Sequence, residues 1–179
     1  MKKQKYLTPK RISLLALFCA LVVVATIIIR LPIPATGGYF NLGDTIIFIA
    51  SVLLGPVFAM IVGGVGSALA DVIGGFAQYA PWTLVIKGIE GLIAGLLVLA
   101  FRADPKTMFG TLLTVVSFVI AGLWMTAGYF GAEYIIYSLD WAPPMAELPF
   151  NLAQGGISAV IAGILAPIVA RTFGERLSN

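Results

Sequence analysis

Apolar residues run in long charge-free stretches along this chain, each close to the length that a membrane-spanning helix needs. A helix crosses the bilayer with about 20 predominantly apolar residues. One stretch, residues 12–29, lies between Arg11 and Arg30, and two later ones cover residues 107–132 and 148–170. Residues 81–101 form a further apolar stretch that is interrupted by Lys87 and Glu90. The pattern predicts a transmembrane helix in each of these four stretches.

The remaining apolar stretch, between Asp44 and Asp71, is either one long helix or two short helices broken at Gly55-Pro56. Cytoplasmic loops carry an excess of lysine and arginine, so the basic residues decide between the two. Two helices place nine basic residues on one side of the membrane, whereas one helix splits them. We therefore predict an all-α integral membrane protein with six transmembrane helices and cytoplasmic N- and C-termini. The nine residues are Lys2, Lys3, Lys5, Lys10, Arg11, Arg102, Lys106, Arg171 and Arg176.

This topology makes residues 1–179 a single transmembrane domain with a basic cytoplasmic segment at 1–11. It predicts three outer loops, at about residues 31–42, 72–80 and 134–147. The first of these contains Gly37 and Gly38 and has the glycine content of a movable lid.

Composition excludes most soluble chemistry. Hydrophobic residues make up 60% of the chain and charged residues 11%, against about 25% charged in ordinary soluble domains. Histidine is absent and Cys19 is the single cysteine, so the usual ligands of zinc, haem and iron–sulfur clusters are missing. We expect no metal, no bound cofactor and no catalytic residue. The formal net charge of +3 reflects topology, and we expect no binding to nucleic acid.

Polar side chains occur where hydrocarbon should exclude them. Lys87 and Glu90 lie three positions apart on one face of the fourth helix, and either neutralise each other for insertion or line a polar cavity. The fifth and sixth helices carry similar stripes, which either bond neighbouring helices together or face the same cavity. All three stripes occupy the outer halves of their helices, which predicts a pocket open to the outside and sealed below. The stripe residues are Thr126, Tyr129, Glu133, Asn151 and Gln154.

Three motifs resemble one transporter family. The first helix has Ala16-x-x-x-Ala20, Asn41-Leu42-Gly43-Asp44 is followed by Leu53-Leu54-Gly55-Pro56, and the fourth helix has Lys87-Gly88-Ile89-Glu90-Gly91. Together they are similar to the S components of energy-coupling-factor (ECF) vitamin transporters, in the riboflavin-transporter-like branch. The resemblance covers nearly the whole chain.

The resemblance implies a substrate-capturing subunit of an ATP-driven vitamin transporter in the bacterial plasma membrane. It would bind its vitamin from outside and dock through Ala16 and Ala20 onto a transmembrane T component with two ATPase subunits, which use the ATP. The expected ligand is a small heteroaromatic compound such as riboflavin, a hydroxymethylpyrimidine or a pyridoxine-like vitamin, neutral or zwitterionic rather than strongly anionic. The candidate binding residues are Asn41, Asp44, Lys87, Glu90, Thr126, Tyr129, Glu133, Asn151 and Gln154.

Two other classes remain open. A stand-alone secondary transporter or channel is the main alternative, although we find no convincing internal repeat of the kind such transporters carry. An intramembrane enzyme would need a nucleophile and a base, and Lys87 is the one residue that offers a base. We expect the protein not to be an enzyme.

Overall fold

The part of the chain that the structure describes forms six helices, as the apolar stretches predict. The computed structural model describes residues 8–33 and 36–178, with side chains as far as Phe173. Lys2, Lys3 and Lys5 of the predicted basic segment lie outside the described residues, as do Pro34 and Ala35 of the first predicted loop and the Arg176 side chain. The helices are α1 (Pro9–Ile28), α2 (Gly43–Leu54), α3 (Pro56–Gly74), α4 (Ala80–Ala100), α5 (Met108–Ile136) and α6 (Ala142–Ser178).

Five of these six helices are long and apolar enough to cross a membrane, and α2 is the shorter apolar helix. The break between α2 and α3 falls at Gly55, which has a φ of 82°, a left-handed value that favours glycine. Pro56 then takes the first position of α3, where its missing N–H costs no hydrogen bond. The predicted break at Gly55-Pro56 is therefore confirmed, and the all-α membrane fold with it.

A β-hairpin joins α1 to α2 and occupies most of the first predicted loop. Strand β1 (Arg30–Ile33) pairs antiparallel with β2 (Gly38–Asn41), with Arg30 opposite Asn41 and Ile33 opposite Gly38. No strands were expected here, because Pro32, Gly37 and Gly38 are typical of irregular loops. The hairpin turns a glycine-containing loop into an ordered cover for one end of the helices.

The other two predicted outer loops are shorter than expected. Helix α3 continues past Asp71 to Gly74, and α5 and α6 leave only residues 137–141 outside a helix, where residues 134–147 were expected. The prediction ended each helix at its nearest charge. Glu133 is 2% exposed and Glu147 4% exposed, so these charges lie inside the protein and do not mark the membrane boundary.

Glycines allow α3 and α4 to cross at close range. A Cβ on Gly63 would overlap the Lys87 carbonyl oxygen, and one on Gly91 would overlap the Ala59 carbonyl oxygen. A five-residue π-helical segment, Val62–Gly66, interrupts α3 at this crossing. Such segments occur mostly as single turns inside α-helices, frequently at functional sites. This crossing fixes the backbone that carries Lys87.

The start of α1 and the part of α6 around Arg171 lie at the end of the protein opposite the hairpin. Arg171 Nη2 donates to the Lys106 carbonyl oxygen at 3.1 Å, and the Arg11 guanidinium lies 6.0 Å from the centre of the Phe58 ring. Between the two ends is an apolar core in which the Phe48 ring of α2 stacks on the Phe118 ring of α5, with centroids 4.7 Å apart.

Candidate functional site

A polar cavity lies at the hairpin end of the helices. Every helix except α2 contributes to the wall, as does β2. The lining residues are Thr26, Gly38, Tyr39, Asn41, Ser67, Asp71, Tyr79, Thr83, Lys87, Tyr129, Glu133, Glu147, Asn151 and Gln154.

Lys87 forms the floor of the cavity and is already paired. Its ammonium group donates to Asp44 Oδ1 and lies 3.2 Å from Glu90 Oε2. Both carboxylates are fully buried. Lys87 therefore has both of the roles considered for the Lys87 and Glu90 pair. It neutralises charge inside the protein, and it also lines the cavity.

A chain of hydrogen bonds fastens the hairpin to the helices beside it. Gln154 Oε1 accepts from the Asn41 backbone N–H at 2.9 Å and from Asn41 Nδ2 at 3.1 Å, while Gln154 Nε2 donates to Asp44 Oδ2 at 2.9 Å. The Gly43 N–H in turn donates to Asn41 Oδ1 at 2.9 Å. Most of the hydrogen-bonding groups of the Asn41 and Gln154 side chains are therefore already bonded to each other or to neighbouring residues such as Asp44.

Tyrosines on a second wall are held by neighbouring polar groups. Tyr39 donates to Asp71 Oδ1, and burial together with the Asp71 charge raises the pKa of Tyr39 well above its usual value. The hydroxyls of Thr83 and Tyr129 lie 3.0 Å apart, and the Lys87 ammonium lies 5.6 Å from the centre of the Tyr129 ring. These tyrosines offer ring faces that are already fixed in position.

The third wall is acidic, and its carboxyl groups have few hydrogen-bond partners among the described residues. Glu133 of α5 and Glu147 of α6 are buried neighbours, and one oxygen of each, Oε2, has no hydrogen-bond partner among the described residues. Gly38 of the hairpin lies against Glu147, where a Cβ would overlap Oε1. Unpaired buried polar atoms are uncommon and mark either a cost in stability or a place for a ligand.

The family model described as "ECF-type riboflavin transporter, S component" matches residues 6–171 of the chain. The protein belongs to this family. The predicted resemblance is thereby confirmed, and with it the expectation of a membrane-embedded transport subunit that is not an enzyme.

Two relatives of this S component match it over most of their own length and most of the length of this chain. An uncharacterised protein of Pyrococcus woesei is 39% identical over 156 residues, which is 87% of this chain and 99% of the relative. The Thiamine precursor transporter HmpT of Lactococcus lactis subsp. cremoris is 32% identical over 164 residues, covering 91% of this chain and 89% of that protein. A UPF0397 protein of Streptococcus pneumoniae is 30% identical over 161 residues, or 90% of this chain and 69% of the relative.

Six of the nine predicted binding residues of the S component line the cavity, and three do not. Asp44 and Glu90 lie behind Lys87, and Thr126 Oγ1 donates to the Gly122 carbonyl oxygen of its own helix at 3.0 Å. That ligands contact the six remains a prediction. The six are Asn41, Lys87, Tyr129, Glu133, Asn151 and Gln154.

Sequence reasoning missed several lining residues because it treated charges as helix ends. Asp71 belongs to α3 and shares a face with Ser67, four residues earlier. Thr83 likewise precedes Lys87 by four residues on α4. Spacing of i, i+4 from a charged residue was therefore the available signal. Tyr79 and Glu147 show the same spacing, since Tyr79 precedes Thr83 by four residues and Glu147 precedes Asn151 by four.

Acidic groups outnumber basic groups around this cavity. Five of the eight acidic residues of the chain are buried there, namely Asp44, Asp71, Glu90, Glu133 and Glu147. Lys87 is the one cation among the residues that line the cavity. Within the described residues, no group of three or more acidic or cysteine side chains has a metal-binding arrangement. The lining of this cavity is therefore acid-rich.

Proposed function

We propose that this S component captures a small heteroaromatic vitamin or vitamin precursor in the polar cavity and delivers it to an ATP-driven transporter. The observation that carries the proposal is the cavity itself, which is polar and lined by tyrosine rings at one end of an otherwise apolar bundle. Membership of the S component family and the 32% identity to a protein named as a thiamine precursor transporter support it. A channel would need polar groups along its whole length.

The proposed route runs from outside the cell into the cavity beneath the hairpin. The basic residues at the opposite end, among them Arg11, Lys106 and Arg171, favour a cytoplasmic location for both chain ends. In that orientation the hairpin covers the site on the outer side. We infer that ligand enters when the hairpin moves and that the Asn41–Gln154 hydrogen bonds re-form behind it.

Docking is proposed at α1, through Ala16 and Ala20. Both alanines are exposed, and only 17% of the most apolar window of α1 is buried within the protein. Small side chains at i, i+4 permit close approach of a second helix. The partner would be a transmembrane T component with two ATPase subunits, which supply the ATP hydrolysis that this chain has no residues to perform.

Titration calorimetry of the purified full chain against riboflavin, hydroxymethylpyrimidine, pyridoxine and thiamine tests the capture step. We expect submicromolar binding of at least one compound. Affinity no tighter than micromolar for every compound would overturn the proposal.

Uptake by cells that express the full complex tests the docking step. Ala16→Trp and Ala20→Trp should abolish uptake and leave binding unchanged, because both alanines are exposed on α1 and neither lines the cavity, where α1 contributes Thr26. Leu17→Trp, on the same exposed helix beside the alanines, provides a matched control with a smaller change in side-chain volume. If binding falls together with uptake in the alanine variants, the docking assignment is wrong.

A further inference from the structure

Glu133 and Glu147 stand out among the buried acids because neither has a basic partner among the described residues. Lys87 pairs with Asp44 and Glu90, and Tyr39 donates to Asp71. The Glu133 and Glu147 carboxyl groups instead line the cavity from α5 and α6, each with its Oε2 unpaired among the described residues. They are 2% and 4% exposed, so water does not solvate them freely.

Neighbouring hydroxyl groups leave acceptors rather than donors on this side of the cavity. Tyr137 donates to the Thr36 carbonyl oxygen, so the Tyr137 oxygen accepts the proton of Tyr79 across 3.1 Å. The Tyr79 oxygen therefore faces its surroundings as an acceptor. Together with Glu133 Oε2, Glu147 Oε2 and Asp71 Oδ2, it gives a wall that can accept hydrogen bonds but offers few.

Charge and hydrogen bonding thus both favour a ligand that donates hydrogen bonds and carries no negative group. A buried carboxylate without a partner is costly, and a ligand that donates hydrogen bonds to it removes that cost. A phosphate or carboxylate group would add a further negative charge beside the existing acids. A neutral apolar edge would keep the oxygens unpaired.

We propose that the Glu133–Glu147 pair binds a hydrogen-bond-donating amino group on a basic heteroaromatic ring. The inference rests on the proposed function and narrows its ligand class. It narrows the expectation of a neutral or zwitterionic ligand, which rested on lysine and glutamate occurring together, to a ring with a hydrogen-bond-donating amino group. In this proposal the ring of the ligand lies between Tyr39 and Tyr129 of the second wall, and its amino group faces α5 and α6.

Gly38 gives the pair a link to the hairpin. Because the Glu147 carboxylate lies directly against Gly38, no side chain can occupy that position while the acid keeps its place. A ligand that pulls on Glu147 therefore acts next to the backbone of β2. The hairpin therefore contacts one of the two acids of the pair.

Two matched compound pairs test the inference on the unaltered protein. The first is 4-amino-5-hydroxymethyl-2-methylpyrimidine against the analogue with a methyl group in place of the amino group, and the second is pyridoxamine against pyridoxine. In at least one pair we expect the amino compound to bind about 100-fold tighter, the upper part of the range for leaving a buried acceptor unpaired. The phosphate ester of the preferred compound should bind about 10-fold weaker or worse.

Isosteric variants then locate the effect. Glu133→Gln and Glu147→Gln should each weaken binding of the amino compound about 10- to 100-fold and reduce its advantage over the matched analogue. Asp140→Asn is the matched control, because Asp140 is exposed near the same end and only caps α6 through the Ala142 N–H. Its affinity should stay within about twofold of the unaltered protein.

Outcomes separate this inference from the proposed function. Tight binding of riboflavin or pyridoxine with no preference for an amino group, or unchanged affinity in both glutamine variants, overturns the acid-pair inference and leaves vitamin capture standing. Failure of every compound to bind overturns both. Preference for the amino compound in the unaltered protein, lost in the glutamine variants but kept in Asp140→Asn, supports both.

Discussion

Replacing Lys87 with methionine removes the positive charge from the cavity floor and keeps most of the side-chain volume. The Asp44–Lys87–Glu90 cluster carries one positive and two negative charges, all buried. Without Lys87 the two carboxylates stay buried without a counter-ion, and Asp44 keeps only the Gln154 Nε2 donor. Removing one partner of a buried ion pair costs about 3–5 kcal/mol. We expect Lys87→Met to lower the free energy of unfolding by that amount.

Glu90→Gln provides the comparison, because it removes one of two negative charges from the same cluster. The contact between Lys87 and Glu90 is an ion pair at 3.2 Å, and neither Glu90 oxygen has a hydrogen-bond partner among the described residues. The Asp44–Lys87 pair left behind is neutral and keeps its hydrogen bond. The expected loss is about 1 kcal/mol or less, the size of one ordinary hydrogen bond.

Equilibrium unfolding of the purified full chain in mixed detergent micelles, followed by circular dichroism, measures both variants. The combination of Lys87→Met with Asp44→Asn and Glu90→Gln should recover much of the loss, because it removes the stranded charges together with their partner. Equal destabilisation by Lys87→Met and Glu90→Gln, or no recovery in the triple variant, would refute the account of Lys87 as the counter-ion of the floor carboxylates.

Two further predictions concern packing and the hairpin. Gly91→Ala should lower the free energy of unfolding by about 1–3 kcal/mol, because the added methyl group overlaps the Ala59 carbonyl oxygen. Gly88→Ala, on the same helix with its nearest atom at 3.5 Å, should cost nothing measurable in the same unfolding assay. Equal effects would contradict the close crossing of α3 and α4. Asn41→Ala and Gln154→Ala should be coupled by about 0.5–3 kcal/mol in a double-mutant cycle on stability, whereas additive losses would show that the hairpin is held elsewhere.

Helix number was predictable because each span is an apolar stretch with a local stop signal. Gly55-Pro56 ends α2 and starts α3 through backbone conformation alone, and no tertiary contact is needed to see it. The hairpin was not predictable in this way. Its strands are four residues each, contain Pro32 and two adjacent glycines at the turn, and gain their order from contacts with distant residues such as Gln154.

The site residues show the same difference between local signals and contacts with distant residues. Lys87 and Gln154 were found because a polar side chain inside an apolar helix is anomalous whatever surrounds it. Asp71 and Glu147 lie near helix ends, where a charge is ordinary, and the three-dimensional packing shows that they are buried. Glu133 was identified through its spacing from Tyr129, whereas Asp71 and Glu147 were taken for boundary and loop residues.

One hydrogen-bonded chain connects the cover of the cavity to its floor. It runs from Asn41 in the hairpin through Gln154 on α6 and Asp44 on α2 to Lys87 on α4. The residues that hold the hairpin are therefore hydrogen-bonded to the residues of the floor, and we expect opening of the hairpin to weaken the environment of Lys87. A ligand that binds only the closed, folded state would add stability of about 2.7 kcal/mol at 100 times its dissociation constant. We therefore expect ligand capture and closure of the hairpin to be one equilibrium, in which the ligand offsets the cost of the unpaired buried acids.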